Sequence, residues 1–177
     1  MTSGQLAIAL AVWAGFAQGQ DPHAHHRTPA AEGAWVRYRH ATGGFSVEHP
    51  ADWRPERPKM TVSIHIAHPT KAVHLFAAAF DMPEGSLESF AEMKFAVQGE
   101  LFKALGPVRP LTGPGWNGLV QEAETLETQG GKHARRLMLC AVHENRYVSL
   151  TLFLESDELA QNGGDYERIL GSLRFGE

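Results

Sequence analysis

The segment that most constrains the fold runs from residue 117 to residue 154. It contains three successive runs of strand-forming residues, over about 117–127, 133–142 and 146–154. Only short turns separate these runs, one at Gly130-Gly131 and one at Glu144-Asn145. Strands joined by such short connections pair side by side and antiparallel. An antiparallel meander is therefore predicted as the centre of the fold.

Further strands are predicted before this meander. Alternating apolar and polar residues over 35–39 and 45–48 indicate two short strands, with a turn at Gly43-Gly44 between them. The stretch 61–80 is predicted to form a hairpin with a four-residue turn at 68–71. Together with the meander, these segments supply enough strands for one sheet.

The strongest helical pattern covers residues 86–105. Its apolar side chains repeat close to the 3.6-residue period; Ser86 is placed to cap its start and Gly106-Pro107 to end it. A second, short helix is predicted over 165–170, near the C-terminus. Strands grouped on both sides of a helix predict an α+β fold, in which one apolar face of an antiparallel sheet lies under the long helix.

The N-terminal part differs in composition from the rest. Residues 6–17 are apolar and uncharged, too few to span a bilayer, which takes about 20 such residues, but typical of a secretory signal. A buried N-terminal helix is the alternative interpretation. We predict a signal peptide over 1–19, a flexible leader rich in His, Pro and Ala over 20–34, and a single domain over 35–177. The protein is then expected to be exported, periplasmic or secreted, with no membrane span after signal cleavage.

Composition and motifs exclude several classes of function. The 16 Lys and Arg residues against 20 Asp and Glu residues give a net charge of −4, so no basic field is available for nucleic acid. The single cysteine, Cys140, excludes a disulfide framework and a multi-cysteine metal site. The sequence also lacks the phosphate-loop, Gly-x-Ser-x-Gly and His-Glu-x-x-His motifs. It is therefore predicted not to be an enzyme.

Three phrases of the sequence resemble one known family. Residues 45–53 place an aromatic residue before a Pro and a Trp, residues 147–152 carry an aromatic and alternating hydrophobics, and residues 169–175 are similar to a terminal I-x-x-S-F-x-F phrase. Over about 35–175 the chain resembles the PsbP-like family. Leu173 stands where that terminal phrase often has Phe, and no lipoprotein cysteine follows the apolar run.

The resemblance implies both a fold and a setting. The PsbP-like fold is an α/β/α sandwich shared with a small nuclear-import factor that binds Ran. Family members include a lumenal extrinsic subunit of photosystem II and many exported bacterial proteins of unknown role, and they are generally non-enzymatic. The implied function is an exported domain that binds a protein partner or a small ligand. Fold alone does not identify that partner.

Ten histidines are the unusual count in the composition, and two of them are predicted to form a pair. If the turn at 68–71 has four residues, His65 lies directly opposite His74 in the hairpin, with about 4.5–5.5 Å between Cβ atoms. Two imidazoles at that spacing suit zinc or copper. A third ligand would come from His68, from His49 or from the leader. The alternative interpretation is two polar residues on the open face of an antiparallel sheet.

A second group of histidines lies in the leader, where His23, His25 and His26 follow one another closely. Histidine-rich runs capture metal ions without preorganised geometry, and a solvated linker is the alternative interpretation. The metal candidates are therefore His65, His74, His68, His23, His25 and His26. Zinc or copper is the one cofactor left open, and an extracytoplasmic metal-binding protein is the alternative to a partner-binding module.

Three other features have structural interpretations. Cys140 lies in an apolar run and is predicted to be a buried, inert thiol, with His143 on the opposite strand face. Glu122 and Glu124 share one strand face and are a candidate carboxylate pair for acid–base chemistry. If Glu124 faces Arg135 across the Gly130-Gly131 turn, the two instead form an ion pair on the solvent side. Trp53 is predicted to pack under the sheet edge, the alternative being the lining of a binding groove.

Overall fold

A computed structural model describes residues 33–40, 42–56, 64–82, 84–97, 99, 101–126 and 133–176 of the chain. The predicted signal peptide and almost all of the predicted leader lie outside these residues. In chain order the elements are β1 (Trp35–His40), β2 (Phe45–Pro50), β3 (Arg54–Pro55), β4 (Ile64–Ala67), β5 (His74–Asp81), α1 (Leu87–Ala96), β6 (Phe102–Ala104), β7 (Arg109–Gly113), β8 (Trp116–Thr125), β9 (Ala134–His143), β10 (Arg146–Glu155), α2 (Ser156–Gly171) and β11 (Arg174–Phe175).

The meander predicted from the sequence forms the middle of the larger sheet. Strands β8, β9 and β10 pair antiparallel in succession, with Gly118 opposite Ala141 and Leu150 opposite Leu139. In the described part of the chain this sheet has eight strands, in the order β3-β4-β5-β10-β9-β8, and both β6 and β7 pair with β8. All of these pairings are antiparallel. The α+β class is confirmed.

One helix packs on each face of this sheet. Helix α2 places Tyr166, Ile169 and Leu170 against the main core, which contains the inward side chains of β5, β8, β9 and β10. Helix α1 places Phe90 and Ala91 on the opposite face, against a smaller cluster around Cys140 and Tyr147. This arrangement is the α/β/α sandwich that the resemblance implied.

A small second sheet closes one side of the main core. Strand β2 pairs with β1 and with β11, and its residues Phe45 and Val47 are fully buried. The C-terminal segment is tied to the larger sheet by Trp116, whose indole N–H donates to the Leu173 carbonyl at 2.9 Å. Beyond α2 the chain is extended, since Arg174 and Phe175 pair with Ser46 and Phe45 of β2.

The mid-chain helix is half as long as the sequence predicted. Ser86 caps it as expected, and its hydroxyl accepts the N–H of Ser89 at 3.1 Å. The helix ends at Ala96, however, and Phe102 belongs to β6, opposite Thr125. Glycine at position 99 disfavours continuing the helix, and hydrogen bonding to the edge of β8 takes up the following backbone. The prediction of a helix to Leu105 was wrong for this reason.

Two proline-containing segments, whose local sequence favours loops, are edge strands. Residues 109–113 form β7, which turns into β8 through Pro114 and Gly115; Gly115 has a φ of 77°, which glycine adopts without strain. Residues 54–55 form β3 beside β4. Proline indicated a loop in both places, but edge strands tolerate it because one side of their backbone needs no partner. The C-terminal helix is also longer than predicted, spanning Ser156–Gly171 with a kink at Asn162.

Candidate functional site

The face of the larger sheet that carries α1 has two regions. Phe90 of α1 covers the first, where its ring centroid lies 5.1 Å from that of Tyr147 and 5.5 Å from that of Phe80. The second lies beyond the apolar cluster of this helix. We call this second region the ring array, and it consists of His65, His74, Phe76, Phe102, Arg136 and Phe153.

The side chains of the ring array form one continuous series of contacts across the sheet. His65 stacks on Phe76, with 4.3 Å between ring centroids and 9° between ring planes. Phe76 meets Phe153 edge to face at 5.7 Å, and Phe153 lies 5.9 Å from Phe102. The Arg136 guanidinium lies 4.8 Å from the centroid of Phe102. The side chains in these contacts come from five strands: β4, β5, β10, β9 and β6.

Strand alternation explains why these side chains share one face. His74 and Phe76 are two apart on β5, so they point to the same side of the sheet. The register places Phe76 opposite His65 and Phe153 opposite both His74 and Arg136. The residues between them, such as Leu75 and Leu152, point into the main core on the other side.

The predicted histidine pair forms, but in a different register. Ala67, rather than His65, lies opposite His74, and His65 lies opposite Phe76. The four-residue turn begins one position later than predicted, because the His68 N–H donates to the Val73 carbonyl at 2.9 Å and extends the ladder. The His68 Nδ1 also accepts the N–H groups of Thr70 and Lys71, both at 3.1 Å. The shift is two residues on the opposing strand, so both histidines stay on one face and meet diagonally.

The pair has close contacts on both sides of the His65 ring. His65 Nε2 lies 3.2 Å from His74 Nδ1, and His65 Nδ1 lies 3.3 Å from Oε2 of Glu56. The two histidines are 5% and 7% exposed. A row of three polar groups, Glu56–His65–His74, therefore lies at the β3–β5 end of the ring array.

Burial controls the charge of this pair. Burial, and then the neighbouring His65, lower the pKa of His74 to about 4. His74 is accordingly a neutral imidazole near pH 7, the state in which histidine binds metal ions.

The opposite end of the ring array holds a buried cation. Arg136 is 1% exposed and donates from Nη2 to the Gln121 side-chain carbonyl at 2.9 Å. Its pKa is lowered by burial, although the nearby Cys140 acts in the opposite direction. The guanidinium is therefore held by an amide oxygen and an aromatic face.

The other predicted metal ligands do not join the pair in the described structure. The ring of His68 packs edge to face on Trp53, 6.0 Å away, and its Nδ1 caps the β4–β5 turn. His49 is buried, with Nδ1 2.8 Å from the Pro50 carbonyl. His23, His25 and His26 lie outside the described residues. Among the residues that are described, no three His, Cys, Asp or Glu side chains are grouped as a metal site would require.

A separate small cleft lies where the two sheets meet. It has a volume of about 230 Å³ and is lined by His40, Thr42, Asp81 and Arg146, among others. Arg146 already donates to the Asp81 carboxylate and to the Gly43 carbonyl, both at 3.1 Å. The His40 Nδ1 accepts the Gly43 N–H at 2.7 Å. The polar groups of the cleft therefore hold the turn at Gly43-Gly44 in place.

The three structural interpretations made from the sequence are confirmed. Cys140 is buried, and burial raises the pKa of its thiol to about 12. Arg135 lies opposite Glu124, 3.8 Å from its carboxylate and 3.0 Å from that of Glu122. Trp53 is 5% exposed and belongs to the main core.

Sequence reasoning missed four members of the ring array, Phe76, Phe102, Arg136 and Phe153, and the neighbouring Glu56. The position of Phe76 could have been predicted from the sequence, because it lies two residues after His74 on a predicted strand and therefore on the same face. Glu56 follows a short edge strand whose proline indicated a loop, and Phe102 lies in a segment with a helical apolar period. Their positions depend on edge pairing, which local sequence patterns do not encode.

Neither a protein-family model nor a curated protein matches the sequence. Solved structures do match. The chain is similar to the cyanobacterial PsbP protein (CyanoP) of Synechocystis sp. PCC 6803, with 12% identity and a TM-score of 0.61 over 86% of this chain and 98% of that one. It is also similar to LpqN, which is involved in cell envelope biogenesis of Mycobacterium tuberculosis, with 13% identity and a TM-score of 0.60 over 81% and 91%.

A protein of Bacteroides thetaiotaomicron aligns as well, with 10% identity and a TM-score of 0.59, over 80% of this chain and 48% of that one. Identities this low define the fold and nothing finer. The chain therefore has the PsbP-like fold, as its sequence resemblance implied. In the part of the chain that is described, none of the helices has the length and apolar character of a membrane span.

Proposed function

We propose that this chain is an exported, non-catalytic binding domain and that the ring array is its binding surface. The observation that carries the proposal is the position of the array on the sheet face that α1 covers only in part. Phe76, Phe102 and Phe153 are half-buried there, and the Phe153 ring contacts both of the others. Aromatic side chains grouped beside a buried cation are typical of ligand-binding surfaces.

Three observations support the exported setting and the absence of catalysis. The uncharged apolar run at 6–17 has the character of a secretory signal, and the similar LpqN is involved in cell envelope biogenesis. Cys140, the one thiol of the sequence, is buried with a pKa of about 12 and is therefore a poor nucleophile.

Titration with anilinonaphthalene sulfonate, an aromatic anion whose fluorescence rises on apolar surfaces, tests this assignment. We expect saturable binding by the wild type and its loss in Phe153→Ser. Val97→Ser is the matched control, because Val97 is 72% exposed at the end of α1 and outside the ring array. Equal binding by all three proteins would reject the ring array as the binding surface.

The second candidate is metal binding by His65 and His74. The observation in its favour is the 3.2 Å separation of His65 Nε2 and His74 Nδ1. Two nitrogens each about 2.0–2.1 Å from a tetrahedral zinc ion are roughly 3.3–3.4 Å apart, so the separation of the two ring nitrogens is close to that of a zinc-bound pair. The remaining positions would be filled by water or by histidines of the leader.

Calorimetric titration with Zn²⁺ and Cu²⁺ tests this candidate. His23, His25 and His26 are replaced by Ala in every protein compared, so that the leader cannot contribute. We expect stoichiometric binding that His65→Ala and His74→Ala each abolish, whereas His143→Ala, at the far end of β9, keeps it. An absence of binding by the parent protein would leave only the ring-array proposal.

A further inference from the structure

Glu56 is fixed next to His65 by its backbone as well as by its side chain. Its N–H donates to the His65 carbonyl at 2.8 Å, which continues the β3–β4 ladder by one position. Residues opposed in this way place their side chains on the same face. The proximity of the Glu56 carboxylate to the His65 ring therefore follows from the register.

The two contacts of the His65 ring determine where its proton lies. An ionised carboxylate only accepts hydrogen bonds, so Glu56 favours the tautomer of His65 that carries hydrogen on Nδ1, 3.3 Å away. In that neutral tautomer the lone pair is on Nε2. This is the atom that lies 3.2 Å from His74 Nδ1.

We propose that Glu56 is the positioning residue of a two-histidine metal site, fixing the tautomer and the ring orientation of His65 so that Nε2 and His74 Nδ1 converge on one divalent zinc or copper ion. The inference rests on the metal-binding candidate above. Metal-bound histidines commonly donate their second ring N–H to a carboxylate, which fixes the ring and raises its basicity. Glu56 is in the position that such a partner occupies.

The proton balance of binding follows from the same arrangement. With hydrogen on His65 Nδ1, the 3.2 Å contact is made by the Nδ1–H of His74 donating to His65 Nε2. For both nitrogens to bind one ion, the hydrogen of His74 would move from Nδ1 to Nε2 and the two rings would turn so that their lone pairs converge to one side of the line joining the nitrogens; no net proton would leave the pair.

In the test, Zn²⁺ is titrated into the full chain at neutral pH. His23, His25 and His26 are replaced by Ala in this parent protein. Three proteins are compared: the parent, Glu56→Gln and the control Glu124→Gln, a glutamate on the opposite sheet face that contacts Arg135. Removal of a carboxylate partner of a metal-bound histidine typically weakens binding 10–100-fold. We expect about that loss in Glu56→Gln and none in Glu124→Gln. The Glu56 side chain is 47% exposed, so the variant should fold, and thermal unfolding verifies this.

A second readout needs no metal. Long-range nitrogen–proton NMR spectra of the histidine rings should show the Nδ1–H tautomer for His65 in the parent and a mixture of tautomers in Glu56→Gln. Equal Zn²⁺ affinity in the parent and in Glu56→Gln would overturn the positioning role while leaving the metal site intact. No binding by the parent would overturn the metal site and this inference with it.

Discussion

The two faces of the larger sheet are built from the same strands and have opposite characters. On β10, Val148, Leu150, Leu152 and Leu154 all point towards α2 and have no exposed surface. The residues between them, Tyr147, Ser149, Thr151 and Phe153, point to the face that carries α1. The comparison teaches that the α2 face supplies the continuous apolar core, whereas the α1 face combines a small apolar cluster with rings and polar groups.

The largest expected difference comes from two neighbouring residues of β10. Leu152→Ala removes a fully buried side chain from the main core and should lower the free energy of unfolding by about 2–5 kcal/mol. Phe153→Ala acts on the half-buried ring array and should cost clearly less, because solvent and neighbouring rings fill the space. Urea unfolding monitored by circular dichroism measures both variants. Equal losses would show that the ring array contributes as much to stability as the core.

Acid should affect the α1 face through His74. Its pKa is about 4 in the folded protein and 6.5 in the unfolded chain, so between these values the unfolded chain binds the extra proton. The contribution of His74 to the free energy of unfolding is therefore fully present above pH 6.5. It decreases as the pH drops towards 4, by up to about 1.4 kcal/mol per pH unit and about 3 kcal/mol in total.

The variant His74→Phe keeps a ring in the array and removes the titration. We expect its unfolding free energy to fall less than that of the wild type between pH 7 and pH 4.5, in urea titrations at each pH. Some acid sensitivity should remain, because burial also lowers the pKa of His49 and of His68. Identical pH profiles for the two proteins would contradict the assignment to His74.

The α2 face was predictable from the sequence and most of the ring array was not. Leu150 and Leu152 follow the period of two that any half-buried strand shows, and Gly130-Gly131 correctly placed Glu124 opposite Arg135. The His65–His74 contact was predicted from an incorrect register, and the shift of two residues preserved the shared face. Such a shift changes which atoms meet, and here it depends on the hydrogen bonds of His68.

The end of α1 shows a second reason for the difference. Residues 97–105 have an apolar spacing that suits a helix, yet Phe102 pairs with β8 and contributes to the ring array. The energy of pairing at a sheet edge depends on a strand that comes later in the chain. Local periodicity therefore predicts the start of α1, with its Ser86 cap, better than its end.

A smaller effect should separate α1 from the rest of the fold. Ser86→Ala removes the cap of α1 and should destabilise the helix by about 1 kcal/mol. Cys140 lies in the apolar cluster under this helix, so the rate at which a thiol reagent labels it reports the opening of α1. In Ser86→Ala we expect labelling in native buffer to accelerate roughly fivefold. The control is a substitution on the α2 face, such as Ile169→Val, that has the same global stability as Ser86→Ala. This control should accelerate labelling less. Equal acceleration would mean that both helices open together.

The smallest effect is expected at Arg135, whose neighbour Arg136 provides the contrast. Arg135 is 25% exposed and contacts two carboxylates of β8, whereas Arg136 points to the other face and is 1% exposed. Exposed ion pairs typically contribute about 0–1 kcal/mol, because water solvates the separated charges well. A double-mutant cycle of Arg135→Ala with Glu122→Ala should therefore give a coupling below about 1 kcal/mol that decreases further as salt is added. A larger, salt-independent coupling would show that the edge of the α2 face is less hydrated than the exposure of Arg135 indicates. The two faces of the sheet would then differ less in their electrostatics than in their packing.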